Sequence, residues 1–151
     1  MPKLRRGFTL IELLVVIGIL AVLLTIVLIA INPARQFSQS NNTKRRSDVN
    51  AILNAVHQYA ADNRGNLSAL AIPTTAANIG NGAGDVDICA ALVTLYLAAL
   101  PQDPLSNNGA AITDCAAAHD TGYTIVTSAT NNRITVAAPS AELSEVISVT
   151  R

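Results

Sequence analysis

The chain has 151 residues, which sets one globular domain as the default expectation. Half of the residues are hydrophobic, yet aromatics are scarce and Trp is absent, so a soluble part would have a thin core that a covalent staple would help. The formal net charge is zero; without Lys3, Arg5 and Arg6, seven basic residues face ten acidic ones, about −3, which argues against general nucleic-acid binding.

Residues 1–7, Met-Pro-Lys-Leu-Arg-Arg-Gly, are short and basic, and an apolar run from Phe8 to Ile31 follows. At about 1.5 Å per residue such a run spans roughly 36 Å, enough for a hydrocarbon core of about 30 Å. The positive-inside rule places Lys3, Arg5 and Arg6 in the cytoplasm and the C-terminal part outside. A secretory signal peptide has a shorter apolar region and a small-residue cut site, and Ile29-Ala30-Ile31-Asn32-Pro33 lacks that pattern. A plain signal anchor of an extracytoplasmic binding module stays open at this point.

Glu12 is the one ionisable side chain inside the run. A carboxylate there costs up to a few kcal/mol, so it needs a functional partner. Cleavage after Gly7 would create one, an α-amino cation on Phe8, offered by a neighbouring copy shifted along the axis. The stretch Arg6-Gly7-Phe8-Thr9-Leu10-Ile11-Glu12-Leu13-Leu14-Val15-Val16-Ile17 resembles the processing site of type IV pilins and type II secretion pseudopilins. The resemblance implies cleavage after Gly7 by a prepilin peptidase, N-methylation of Phe8 by the same enzyme, and an assembly salt bridge through Glu12. It also implies identical subunits, an assembly platform with its ATPase, and membrane lipid as partners. No cofactor is expected, and catalysis is not expected either, because His119-Asp120 makes no triad and the sequence has no GxxxxGK phosphate loop. The resemblance covers the N-terminal third well and the remainder loosely.

The implied fold is α+β and pilin-like: a long N-terminal helix packed by a small C-terminal antiparallel sheet. Residues 1–7 would be a cleaved leader, 8–31 the membrane and filament-core half of the helix, 32–64 its amphipathic half, and 65–151 a globular head. From Thr43 to Asp62 the apolar positions Val49, Ile52, Leu53, Val56, Tyr59 and Ala60 recur at three and four residues, as one helix face requires. Lys44-Arg45-Arg46 reads as a solvated face or a juxtamembrane cluster. Gly18, Pro33 and the polar stretch Gln36–Asn42 are places for a kink, and Gly65 suits the left-handed C′ position. The spacing predicts a loop over Asn66–Asp87 and a second helix over Ile88–Leu100. The segment Leu100-Pro101-Gln102-Asp103-Pro104 resembles a connecting region of pseudopilins. Three strands are expected at Tyr123–Thr127, Arg133–Ala137 and Glu145–Thr150, with Asn131-Asn132 as a turn.

Cys89 and Cys115, both outside the cytoplasm by the orientation argument, are expected to form a disulfide; two buried thiols are the alternative. A zinc site from Cys89, Cys115, His57 and His119 matches no common spacing. Asp103, Asp114 and Asp120 are weak calcium candidates and read first as turn formers. The functional expectation is a major-pilin-like subunit of an extracellular type IV pilus, held by a single pass in the cytoplasmic membrane before assembly, with a secretion pseudopilin as the alternative.

Overall fold

The structure is a computed structural model that describes residues 7–151. The expected basic leader side chains Lys3, Arg5 and Arg6 lie outside the described residues. The chain divides into two compact units, Met1–Phe37 and Ser38–Arg151.

In the first unit, helix α1 runs Leu10–Ile31. Every residue of it is exposed, because its side chains, apolar round the whole helix but for Glu12 and Thr25, meet no other element within the unit. The helix stops at Asn32, which adopts a left-handed conformation with φ 47°. Pro33 then opens helix α2, Pro33–Asp62. Pro suits a first helical position, where its missing N–H costs nothing. The Asn32 carbonyl and its Oδ1 accept the Arg35 N–H at 3.1 and 3.3 Å, so one residue caps both helices. The interruption thus falls at Asn32, while Gly18 and Gln36–Asn42 stay helical.

The second unit packs α2 against a four-stranded antiparallel meander. The strands are β1 Ala77–Gly80, β2 Asp120–Thr127, β3 Ile134–Ala138 and β4 Ile147–Thr150, in that spatial order. Strands β2 and β3 alternate as a half-buried sheet must, with Thr121, Tyr123 and Ile125, then Ile134, Val136 and Ala138, turned inward. They meet Val49, Ile52, Leu53 and Val56 of α2 in the core, all wholly buried, as the helical spacing requires. Tyr123 is buried on the same face and donates its hydroxyl to Asp48 at 2.8 Å. Burial, and then that bond, push the Tyr123 hydroxyl far above the ordinary tyrosine range.

Three sequence expectations are corrected. The loop expected over Asn66–Asp87 contains β1, which pairs with β2 and makes the sheet four-stranded. β1 bulges between Asn78 and Gly80, and a Cβ at Gly80 would lie 2.7 Å from the His119 carbonyl, so only glycine fits that approach. The helix expected over Ile88–Leu100 is a single turn, α3 Cys89–Leu92. It ends because Val93 turns extended and Thr94 takes φ 73°, forming a tight turn whose Thr94 N–H donates to Leu97 at 2.7 Å. At the end of α2, Arg64 occupies the left-handed C′ position (φ 55°) and Gly65 the next one. The Gly65 N–H reaches back to the Ala60 carbonyl at 2.7 Å, which is the Schellman closure.

Candidate processing and assembly site

Gly7, Phe8 and Thr9 precede the first turn of α1 in non-helical conformation. Thr9 is the N-cap, and with Glu12 it closes a capping box. The Thr9 N–H and hydroxyl both donate to Glu12 Oε2 at 2.8 Å, and the Glu12 N–H donates back to Thr9 Oγ1 at 3.3 Å. Glu12 thus has a partner inside its own chain as well, in a cap worth about 1 kcal/mol to the helix. The spacing of Thr9 and Glu12, three residues apart ahead of an apolar run, was the signal for it.

Phe8 is 84% exposed among the described residues. A Cβ placed on Gly7 meets nothing within 4 Å among the described residues, so this fold does not itself demand glycine there. Helix α1 is long and apolar enough to cross a membrane. Its 22 residues span about 33 Å. None of its large side chains from Leu10 to Ile31 is covered. An exposed apolar surface of this extent marks a membrane or protein contact.

The second unit holds the other residues that the sequence singled out. Cys89 and Cys115 form a disulfide with a Cα–Cα separation of 5.5 Å, joining the start of α3 to the segment before β2. Both sulfurs are consumed, so neither serves as a zinc thiolate. His57 is half-buried in α2, and His119 is buried with Nδ1 at 2.9 Å from the Ala117 carbonyl and Nε2 3.7 Å from Asp87. Asp114 and Asp120 cap their own turns, accepting the Ala116 and Gly122 N–H groups at 2.9 and 2.8 Å. Among the described residues no three His, Cys, Asp or Glu side chains are grouped as metal ligands.

Asp103 has a different role, and with it the reading of Lys44-Arg45-Arg46 is corrected. Arg45 is wholly buried rather than solvated. Its Nε and Nη2 donate to the two Asp103 oxygens at 2.7 and 3.0 Å, a bidentate pair, and Asp103 is itself buried. Arg45 Nη1 donates to Asn42 Oδ1 at 3.0 Å and to Glu142 at 2.8 Å. Glu142 also accepts from Ser38 and Asn41, and exchanges two backbone bonds with the Asn42 side chain. Arg45 first, then Asn41 and Ser38, hold the Glu142 carboxyl down to about 2. The signal was present, because Asn42 and Arg45 lie seven and four residues before Val49 and continue the buried stripe.

No curated protein and no solved structure matches the chain. Residues 2–28 match the family model described as the prokaryotic N-terminal methylation motif. At the head of a wholly exposed apolar helix, then, the chain carries the N-terminal signature shared by type IV pilins and pseudopilins.

Proposed function

We propose that this chain is a structural subunit of a type IV pilus. It is cut after Gly7, N-methylated on Phe8, and polymerised through α1 into an extracellular helical filament. The observation that carries the reading is Gly7-Phe8 followed by Glu12 at the head of a 22-residue apolar helix with no buried residue. Lipid covers that surface before assembly, and identical helices cover it afterwards. A contact of this kind repeats from copy to copy because a heterologous interface that does not close builds a fibre.

Gly7 supports the processing half of the reading. Among the described residues nothing crowds a side chain at Gly7, so a requirement for glycine there would come from the peptidase rather than from the fold. Glu12 supports the assembly half. Within one chain it caps α1 through Thr9; in the filament it meets the cationic Phe8 amine of a neighbour. Cleavage creates that amine, so processing and assembly are linked. The segment Leu100-Pro101-Gln102-Asp103-Pro104 favours a secretion pseudopilin as the second reading. The test is Glu12→Ala: a processed subunit that stays in the membrane and yields no sheared filaments supports the proposal. Normal filaments from that variant overturn the assigned role of Glu12.

A further inference from the structure

His119 directly precedes β2, and Asn81 directly follows β1. The two residues bond reciprocally. The Asn81 N–H donates to the His119 carbonyl at 3.1 Å, and the His119 N–H donates to Asn81 Oδ1 at 2.8 Å. Asn81 Nδ2 also donates to the Ala117 carbonyl at 2.8 Å. The same carbonyl fixes the imidazole, whose Nδ1 lies 2.9 Å from it. A carbonyl only accepts, so Nδ1 is the nitrogen that carries the proton. A neutral imidazole has one N–H, and this bond uses it. Nε2 is then a bare lone pair, buried and without a hydrogen-bond partner. The nearest charged atom is another acceptor, Asp87 Oδ1 at 3.7 Å, and the His119 side chain is only 3% exposed. Two acceptors turned towards each other inside a fold repel, and a buried one left unsatisfied costs free energy. Asp87 Oδ1 in turn accepts the Cys89 N–H at 2.9 Å, beside the disulfide.

We infer that His119 and Asp87 form a pH-sensitive latch, closed when a proton from solvent enters the gap and Nε2–H donates to Asp87. The latch is independent of the subunit reading above. Closed, it joins three segments: the Asn81–Asp87 turn after β1, the start of α3 at the disulfide, and residues 117–119 ahead of β2. Its contribution is present while His119 is charged and is lost as pH rises and the proton leaves. Histidine is the side chain that ordinarily makes this change between about pH 5 and 8. The other charged groups on the cavity walls beside His119 are Asp85, Asp114 and Asp120, from the turn after β1, the disulfide-bounded segment and β2. No Lys or Arg lines those cavities among the described residues, so no side-chain cation competes there for Asp87. A metal ion in the gap would need further ligands, and no third His, Cys, Asp or Glu is grouped with the pair among the described residues.

The experiment uses the full chain in detergent and follows amide hydrogen exchange at Asn81 and His119, with Val136 of β3 as the reference. Rates are expressed as protection factors, which already allow for the intrinsic effect of pH. From about pH 5 to about pH 8 the protection of Asn81 and His119 falls about tenfold, while that of Val136 holds. Asp87→Asn keeps an acceptor for the Cys89 N–H but removes the charge, and it shrinks the fall to below about threefold. Imidazole nitrogen-15 shifts read the proton itself: both ring nitrogens are protonated at the lower pH, and Nδ1 alone at the higher. Protection of Asn81 and His119 that does not change with pH overturns the inference. So does a fall undiminished in Asp87→Asn, or an equal fall at Val136, which means global loosening. A neutral ring protonated on Nε2 also overturns it. A pH effect abolished by EDTA assigns the gap to a metal ion and overturns it too.

Discussion

Replacing Arg45 by Met keeps most of the side-chain volume and removes the charge. The Asp103 carboxylate is then left buried at 1% exposure with its two charged bonds lost and only the Leu105 N–H still donating to it. Breaking a buried pair from one side costs about 3–5 kcal/mol, since the remaining charge is uncompensated. Glu142 sits closer to solvent and suffers less from the change. For a unit of this size the loss corresponds to a fall in Tm of roughly 12–20 °C. Thermal unfolding of the detergent-solubilised chain, followed by near-UV circular dichroism, measures it. The double variant Arg45→Met/Asp103→Leu removes the stranded charge as well and regains most of the loss, because an apolar replacement of a whole buried pair is close to neutral. A Tm for Arg45→Met within about 3 °C of the unsubstituted chain, below the shift of about 4 °C expected for 1 kcal/mol, refutes the reasoning. A double variant as unstable as the single one refutes the charge-based explanation of it.

Hydrogen bonds from Arg45, Asn41 and Ser38 hold the Glu142 carboxyl down to about 2 in the folded chain, against an ordinary 4.5. A depressed carboxylate stabilises the fold above its unfolded pKa, and that contribution is lost as pH falls from about 4.5 towards 2. Glu142→Gln therefore flattens the fall in Tm across that window; an unaltered acid profile counts against the assignment. Reduction of Cys89–Cys115, which closes a 26-residue separation, lowers stability by roughly 3 kcal/mol, read as a shifted urea midpoint under reductant. Leu143→Gly relieves a left-handed leucine and raises Tm by the equivalent of about 1 kcal/mol, unless the φ of 59° carries no strain. Gly7→Arg leaves an uncut chain, seen as a slower band on gels of membrane fractions.

The apolar segment, the buried stripe of α2 and the central β2–β3 hairpin were legible in the sequence because each has one simple pattern. The run from Leu10 to Ile31 is apolar all round but for Glu12 and Thr25, Val49 to Val56 repeats at helical spacing, and β2 alternates at two. β1 was not legible. Ala77-Asn78-Ile79-Gly80 is four residues with one β-branched side chain, and only pairing with β2 makes it a strand. The short α3 misled for the opposite reason. Leu92, Leu95, Tyr96 and Ala99 have helical spacing, but Leu95 is 78% exposed on the turn that the Thr94 N–H closes onto the Leu97 carbonyl.

At the site, Gly7, Phe8 and Glu12 stood out by residue type and register. The Arg45–Asp103–Glu142 network did not, because its members lie 58 and 97 residues apart along the chain. A basic triplet on a helix reads as solvent-facing until the partners are folded over it. The disulfide depended on compartment, which the charge asymmetry around the apolar run supplied.

The central claim concerns chemistry at the Gly7–Phe8 bond, and mass spectrometry of the N-terminal peptide reads it directly. The account predicts that assembled protein begins at Phe8 and carries one methyl group on its α-amine. Assembled protein that begins at Met1, or at Phe8 without a methyl group after full processing, would contradict it.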